Sequence, residues 1–298
     1  MAATVNVNGS VLDQEHASIS VFDHGFLYGE GVYETLRTYN GRSFLFDRHM
    51  RRLRNSAGMM ALDIPLSDAE IEARFAETVK AAGLGQAPDR EAYIRILVTR
   101  GVGELTYDPA ACPQPSVVII VKKHVAPPPE VFQKGVKVSL VDIVRNHPAT
   151  VNPRIKSNNL LNNALAMQEA FRRGGYEGVM RNYRGELAEC TQSNFFIVRK
   201  GAALTPPIDA GLLPGITREY LFEVGGELGI PVLEEVLRDD DLLGAEEAFL
   251  TSTTREAVPI VKVDDRRIGK GVPGPITLAL LERFRENANR LTRAATTA

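Results

Sequence analysis

A β-branched run, SVVIIV at Ser116–Val121, gives way to KKHVAPPPE at Lys122–Glu130. Three prolines in a row have no N–H to donate and a fixed φ. They cannot continue a central strand or a helix interior, and they favour a stiff, extended connection. This break predicts an interdomain linker over 122–133, with a smaller N-terminal domain at 1–121 and a larger C-terminal domain at 134–298; an edge loop inside a single domain is the other reading. A length of 298 residues agrees with two domains of about 150 each. No repeat of solenoid length and no low-complexity tract competes with that division.

The composition removes several classes. Hydrophobic residues at 44% and charged residues at 24% are ordinary for a globular chain, against disordered, collagen-like and coiled-coil folds. Charges nearly cancel, 35 basic against 37 acidic, so there is no broad basic footprint for nucleic acid. Cys112 and Cys190 make neither a disulfide framework nor a metal pattern and read as reduced thiols. The start, MAATVNVNGS, lacks the regions of a signal peptide. The purest apolar run, Val117–Val121, falls far short of the ~20 residues of a membrane span. A soluble, cytoplasmic protein that contacts neither membrane nor nucleic acid is expected.

Periodicity predicts an α+β first domain. Strands are expected at Thr4–Val7 and Ser18–Phe22, with Asn8-Gly9 as a hairpin turn, then at Val32–Tyr39 and Ser43–Phe46 around Asn40-Gly41. A helix over Arg48–Leu62 follows, then one opened by the capping box Ser67/Glu70 and closed near Gly83. Ala92–Thr99 and Ser116–Val121 complete this half. Beyond the linker, strands are expected at Val136–Val144, Tyr176–Met180, Leu187–Glu189, Asn194–Val198, Glu247–Thr251 and Glu256–Val263. Helices are expected at Ser157–Arg173, Thr217–Leu228 and Pro275–Arg290. The second half is therefore β-dominated rather than a regular βαβ alternation.

Common catalytic signatures fail. Gly101-Val-Gly103 lacks the third glycine of a dinucleotide loop, Gly269-Lys270 lacks the upstream glycine of a P-loop, and there is no G-x-S-x-G elbow. The histidines at 16, 24, 49, 124 and 147 form no zincin-like pair, so no metal site is expected.

Three segments carry chemistry. Lys156 sits on a short extended piece just before an amphipathic helix, where an amine can be held rigidly and partly dehydrated for use as a nucleophile or base. Glu189 lies in an apolar strand, where a carboxylate either meets a cation or becomes neutral. A pyridinium nitrogen would serve as that cation, and so would a local arginine such as Arg181 or Arg184. Gly215-Ile216-Thr217 enters a helix whose first N–H groups suit an anion, Thr253 and Thr254 add hydroxyls, and Arg52 offers a bidentate phosphate partner. Plain N-capping is the simpler use of such a threonine.

Taken in order, H-x-x-R-L (His49–Leu53), R-I-K-S (Arg154–Ser157), E-C-T-x-x-N-F-F (Glu189–Phe196), L-P-G-I-T-R and F-L-T-S-T-T resemble the fold-type IV aminotransferases dependent on pyridoxal 5′-phosphate (PLP). The resemblance runs from about Asn6 to Phe284. It implies that Lys156 forms the Schiff base with PLP and shuttles the proton, and that Glu189 faces the pyridine nitrogen. It further implies that Arg52, Ile216, Thr217, Thr253 and Thr254 hold the phosphate, in a homodimer.

Substrate signals divide between two branches of that family. Tyr28 in LYGEG, Tyr93 and Arg95 in AYIR, and the loop RGVGELTYDP are similar to branched-chain aminotransferases, where the matching residues line the substrate pocket. GVYE with Tyr33, KSNNLL and the STT triplet are closer to D-amino acid aminotransferases, while Leu160 and Leu161 stand where branched-chain enzymes carry a tyrosine. The resemblance implies an L-branched-chain or aliphatic amino donor with 2-oxoglutarate as acceptor. D-amino acid transamination, aminodeoxychorismate lyase activity and a non-catalytic α/β binding protein are the alternatives.

Overall fold

The computed structural model describes residues 2–85 and 87–293. Its contacts divide the chain into two compact units. Among the described residues, the first takes in those up to Val125, Ile155–Asn159 and 288–293; the second takes in Ala126–Arg154 and Leu160–Asn287.

In the first unit, Asn8 and Gly9 both have positive φ (51° and 100°), as a two-residue hairpin turn requires, and they join β1 (Thr4–Val7) to β2 (Ser10–Asp13). So tight a turn returns the chain at once, and this is why the second strand lies at 10–13 and not at the expected Ser18–Phe22. The 18–22 stretch is irregular and leads into α1 (His24–Leu27). The buried Asp23 fixes it by accepting from Gly25 N–H (2.8 Å) and the hydroxyls of Thr99 (2.9 Å) and Ser116 (2.8 Å). A second turn of the same kind at Asn40-Gly41 (φ 52° and 74°) joins β3 (Gly31–Tyr39) to the two-residue β4 (Arg42–Ser43). α2 runs over Phe46–Gly58, starting and ending earlier than its apolar spacing suggested, and α3 covers Asp68–Ala81 with the expected capping box on Ser67. With β5 (Ala92–Thr99) and β6 (Ser116–Lys123), the strands form an antiparallel sheet in the order β2-β1-β6-β5-β3-β4.

Alternation sorts the two faces of this sheet. Val32, Leu36, Ile94, Ile96, Val98 and Ile119 point into a core shared with Leu53 and Ala57 of α2 and Ile71 and Phe75 of α3. Tyr33, Tyr93 and Arg95 lie on the other, half-buried face, because Tyr33 pairs with Leu97 while Tyr93 and Arg95 alternate with it along β5.

The stretch expected as linker, 122–133, holds the end of β6 and most of α4 (Pro129–Lys134), so only 124–128 lack regular structure. Pro129 stands at the first helical position, where a missing N–H costs nothing. The second unit continues with β7 (Val136–Leu140), α5 (Leu161–Arg172), β8 (Gly178–Arg181), β9 (Leu187–Cys190), β10 (Asn194–Arg199) and β11 (Ala202–Thr205). After these come α6 (Ile216–Leu228), β12 (Val232–Glu234), α7 (Asp239–Leu243), β13 (Glu247–Ser252), β14 (Glu256–Val263), β15 (Arg266–Arg267) and α8 (Pro275–Thr292), whose residues from Ala288 on count with the first unit. Eight strands run in the order β12-β11-β10-β13-β14-β7-β8-β9, with β15 paired to β14. One face buries Phe195, Ile197, Leu250, Val258 and Ile260. On the other, Phe196 stacks on Phe249 at 4.9 Å, and Tyr220 of α6 meets Phe284 of α8 edge-on. Among the described residues no helix is long and apolar enough to cross a membrane.

Candidate active site

Lys156 lies on the extended piece expected for it, ahead of α5. Residues 155–158 lie along the N-terminal half of β3, with an antiparallel bridge between Val32 and Ser157. This is the reason the helix expected from Ser157 starts only at Leu161: an open strand edge claims the preceding backbone. Tyr33 N–H donates to Lys156 O (2.9 Å), Asn158 N–H donates to Gly31 O (2.8 Å), and Lys156 N–H donates to Ser56 Oγ (3.1 Å). The backbone of Lys156 is thus fixed on both sides. Its ammonium lies over the Tyr33 ring at 4.4 Å, and the Arg95 guanidinium lies over the same ring at 3.9 Å. Among the described residues neither cation has a carboxylate partner. Two positive groups therefore share one aromatic ring and leave a place for a negative one.

Arg52 sits one helical turn before Ser56 on α2. Its Nε and Nη2 bind the two oxygens of Glu34 at 2.7 and 2.8 Å, and His49 Nδ1 meets Glu34 Oε2 at 2.7 Å. Burial opposes ionisation of Glu34, but the Arg52 guanidinium outweighs it, helped by His49, and holds the carboxyl well below its ordinary 4.5. Burial pushes the His49 imidazole below its ordinary 6.5 against the pull of Glu34. Both folded-state values are depressed, so both contributions to stability are fully present above the ordinary values and are lost as pH falls. The melting temperature is expected to decline below pH 6.5 as His49 comes into play, and more steeply below 4.5 as Glu34 does. Thermal melts from pH 8 to 3.5 on wild type and Glu34→Gln check this; identical pH dependence in the two would contradict it.

The second unit carries its own candidate residues. Glu189 ends near the start of the β9–β10 turn, is almost fully buried, and pairs through Oε1 with Arg145 Nε at 2.7 Å. Its Oε2 accepts from Leu213 N–H (3.0 Å) and Asn194 Nδ2 (3.4 Å). The arginines expected as local partners are engaged elsewhere, Arg181 with Asp239 and Arg184 with Glu186. Asn194 Nδ2 also donates to Leu213 O at 2.9 Å, which ties the carboxylate to the chain entering α6. The N-cap there is Gly215, without a side chain to receive the first N–H groups of Ile216 and Thr217. A Cβ on Gly215 would come within 1.9 Å of Asn194 Oδ1, so only glycine fits. Thr253 and Thr254 occupy the β13–β14 turn, half-buried, and the buried Thr251 Oγ1 just before them has no hydrogen-bond partner among the described residues.

Lys156, Tyr33 and Arg95 are thus brought together, with Arg52 on the helix that holds Lys156. Tyr28 packs instead with His24 (4.9 Å) and Tyr107 (5.0 Å), and Tyr93 lies under Lys122 Nζ at 4.9 Å. Sequence reasoning missed Ser56 and Arg145, and it gave no role to Glu34 and Asn194, which stand in the motifs GVYE and E-C-T-x-x-N-F-F. Ser56 was within reach, since it follows Arg52 by one turn; Arg145 lies 44 residues from Glu189 and carried no local signal.

The amino-transferase class IV family model matches residues 31–263, which include candidate residues described above in both units. The chain belongs to the class IV aminotransferases. It is 39% identical over 95% of its length, and 95% of the relative's, to a Methanocaldococcus jannaschii protein named provisionally as a branched-chain-amino-acid aminotransferase. It is 33% identical to the D-alanine aminotransferase of Bacillus licheniformis, over 91% of this chain and 92% of that one. The crystal structure of the branched-chain amino acid aminotransferase from Thermobaculum terrenum in its PLP form superposes with a TM-score of 0.84 at 28% identity, covering 96% of this chain and 94% of that one. As a class IV aminotransferase, the enzyme works with PLP. Its residues fit that cofactor. An uncapped helix N-terminus behind a glycine, and an unpartnered buried hydroxyl beside a threonine turn, suit a phosphate; a buried carboxylate suits a ring cation; a fixed lysine suits an aldehyde.

Proposed function

We propose that this branched-chain-aminotransferase-like enzyme moves the amino group of L-branched-chain or related aliphatic amino acids to 2-oxoglutarate. The observation that carries the reading is the pair of cations, Lys156 and Arg95, on the Tyr33 ring without a carboxylate of their own. Lys156 Nζ would anchor the cofactor and would hold and move the proton at the substrate Cα. Arg95 receives a substrate carboxylate, as donor and acceptor both require, while Tyr33 and Tyr93 offer aromatic faces to an aliphatic side chain. Glu189, as a hydrogen-bond acceptor held by Arg145, keeps the proton on the ring nitrogen. Arg52, the N–H groups of Ile216 and Thr217, and the hydroxyls of Thr253 and Thr254 hold the 5′-phosphate. Bound PLP supplies the electron sink that makes a Cα proton removable.

The enzyme is proposed to act as a homodimer. Val21, Phe22, Phe26, Leu105 and Tyr107 are exposed on two segments joined by the Gly103 N–H to Phe22 O bond (3.2 Å), and so concentrated an apolar surface suits a second copy of the chain. Tyr28, from the same segment, belongs to that surface in this reading.

A donor panel of L-leucine, D-alanine and aminodeoxychorismate tests the substrate. L-leucine is expected to bleach the visible band of the bound cofactor and to form glutamate from 2-oxoglutarate. Turnover of D-alanine without L-leucine would overturn the choice in favour of the D-amino acid branch, to which the Bacillus licheniformis relative belongs.

A further inference from the structure

One buried carboxylate in the second unit has no part in the chemistry described above. Glu177 precedes β8 and is fully buried. Its Oε2 accepts from Gln192 N–H (2.8 Å) and Thr191 Oγ (3.1 Å), and its Oε1 accepts from Ser193 Oγ (3.0 Å) and Arg255 Nη1 (2.6 Å). Those four donors come from two turns. Thr191, Gln192 and Ser193 form the β9–β10 turn, flanked by Glu189 and Asn194; Arg255 closes the β13–β14 turn directly after Thr253 and Thr254. Arg255 is also drawn into that turn by its Nε donating to Ser252 Oγ (3.2 Å), and the next residue, Glu256, has a positive φ of 61° that a non-glycine residue adopts only under constraint.

We infer that Glu177 is a positioning residue for the cofactor phosphate: through Arg255 it clamps the Thr253–Thr254 turn to the turn that carries Glu189 and Asn194. This rests on the proposed role of those threonines. The physical reason lies in the small size of both turns. Each is three residues long and has little core of its own, so its geometry depends on what it is tied to. A buried carboxylate with four donors fixes both at once, whereas a hydroxyl or amide in its place would leave the Arg255 guanidinium without a counter-charge. The clamp acts on the threonine hydroxyls without touching the ligand.

The test compares PLP with pyridoxal, which lacks the 5′-phosphate, as ligands for the cofactor-free full-length chain. Glu177→Gln and Arg255→Gln are each expected to raise the PLP dissociation constant roughly tenfold to a hundredfold. Both variants should leave the pyridoxal constant at the wild-type value, and the double variant should be no worse than the weaker single. Arg255→Lys is expected to recover part of the loss. Equal weakening of both ligands would mean that Glu177 only supports the fold, and no weakening of either would mean that the clamp does not reach the phosphate; each overturns the inference. If Glu177→Gln does not give folded protein, Arg255→Gln decides alone, since it leaves the carboxylate three donors. A wild-type chain that binds PLP no better than pyridoxal would overturn the proposed phosphate cup itself, and the clamp with it.

Discussion

Replacing Lys156 with alanine is expected to lower transamination by about 10⁴-fold or more, the scale seen when a covalent catalyst loses the group that bonds its substrate. The fold should survive, because what fixes residue 156 is backbone: Tyr33 N–H to Lys156 O, and Lys156 N–H to Ser56 Oγ. Alanine keeps both bonds and the Val32–Ser157 bridge. The visible band of the lysine-bound cofactor should vanish, while PLP itself is still retained through its phosphate and ring contacts. Stopped-assay turnover, an absorbance spectrum and a thermal melt check the three parts together. Activity within tenfold of wild type would remove Lys156 from the reaction.

The next largest effect is expected from Glu189→Gln, about 10²- to 10⁴-fold in turnover, the range typical of losing a positioned acid–base group. Glutamine keeps the shape but replaces an acceptor with a group that is neutral and half donor. Two consequences must be separated. In the role proposed for Glu189, the ring nitrogen loses its anionic partner, which slows the reaction. Arg145, almost fully buried, loses its carboxylate, which destabilises the second unit by about 3–5 kcal/mol. Turnover is therefore counted per bound cofactor and set beside the melting temperature. A variant that melts lower yet turns over at the wild-type rate per cofactor would show that Glu189 is an ion-pair partner and nothing more.

How legible these features were follows from how local their causes are. The capping box at Ser67/Glu70, the turn at Asn8-Gly9 and the strand Ala92–Thr99 need only neighbours in sequence, and each lies where its residues indicated. Where a distant partner decides, the local reading failed. Ser157–Leu160 has a helical pattern, but β3 offers an unpaired edge that takes residues 155–158 as an extended partner. Ser18–Phe22 alternates like a strand, yet the hairpin register was already satisfied by Ser10–Asp13. For the site, Lys156, Glu189 and the Gly215-Ile216-Thr217 turn were legible because each stands in a short motif. Arg145 stands in none, and Glu34 and Asn194 lie inside GVYE and E-C-T-x-x-N-F-F, but their role is to hold another residue, and that role appears only once the chain has folded. Pro129 shows the same limit: three prolines mark the end of a strand, but the last of them opens a helix.

In the proposed reaction the amine of Lys156 carries the cofactor. Borohydride reduction of the purified, PLP-loaded enzyme, followed by peptide mass spectrometry, tests it most directly. The expected result is a single phosphopyridoxyl-modified peptide, with the added mass on Lys156. A modification on another lysine in its place, or PLP that leaves the chain unmodified after reduction, would contradict it.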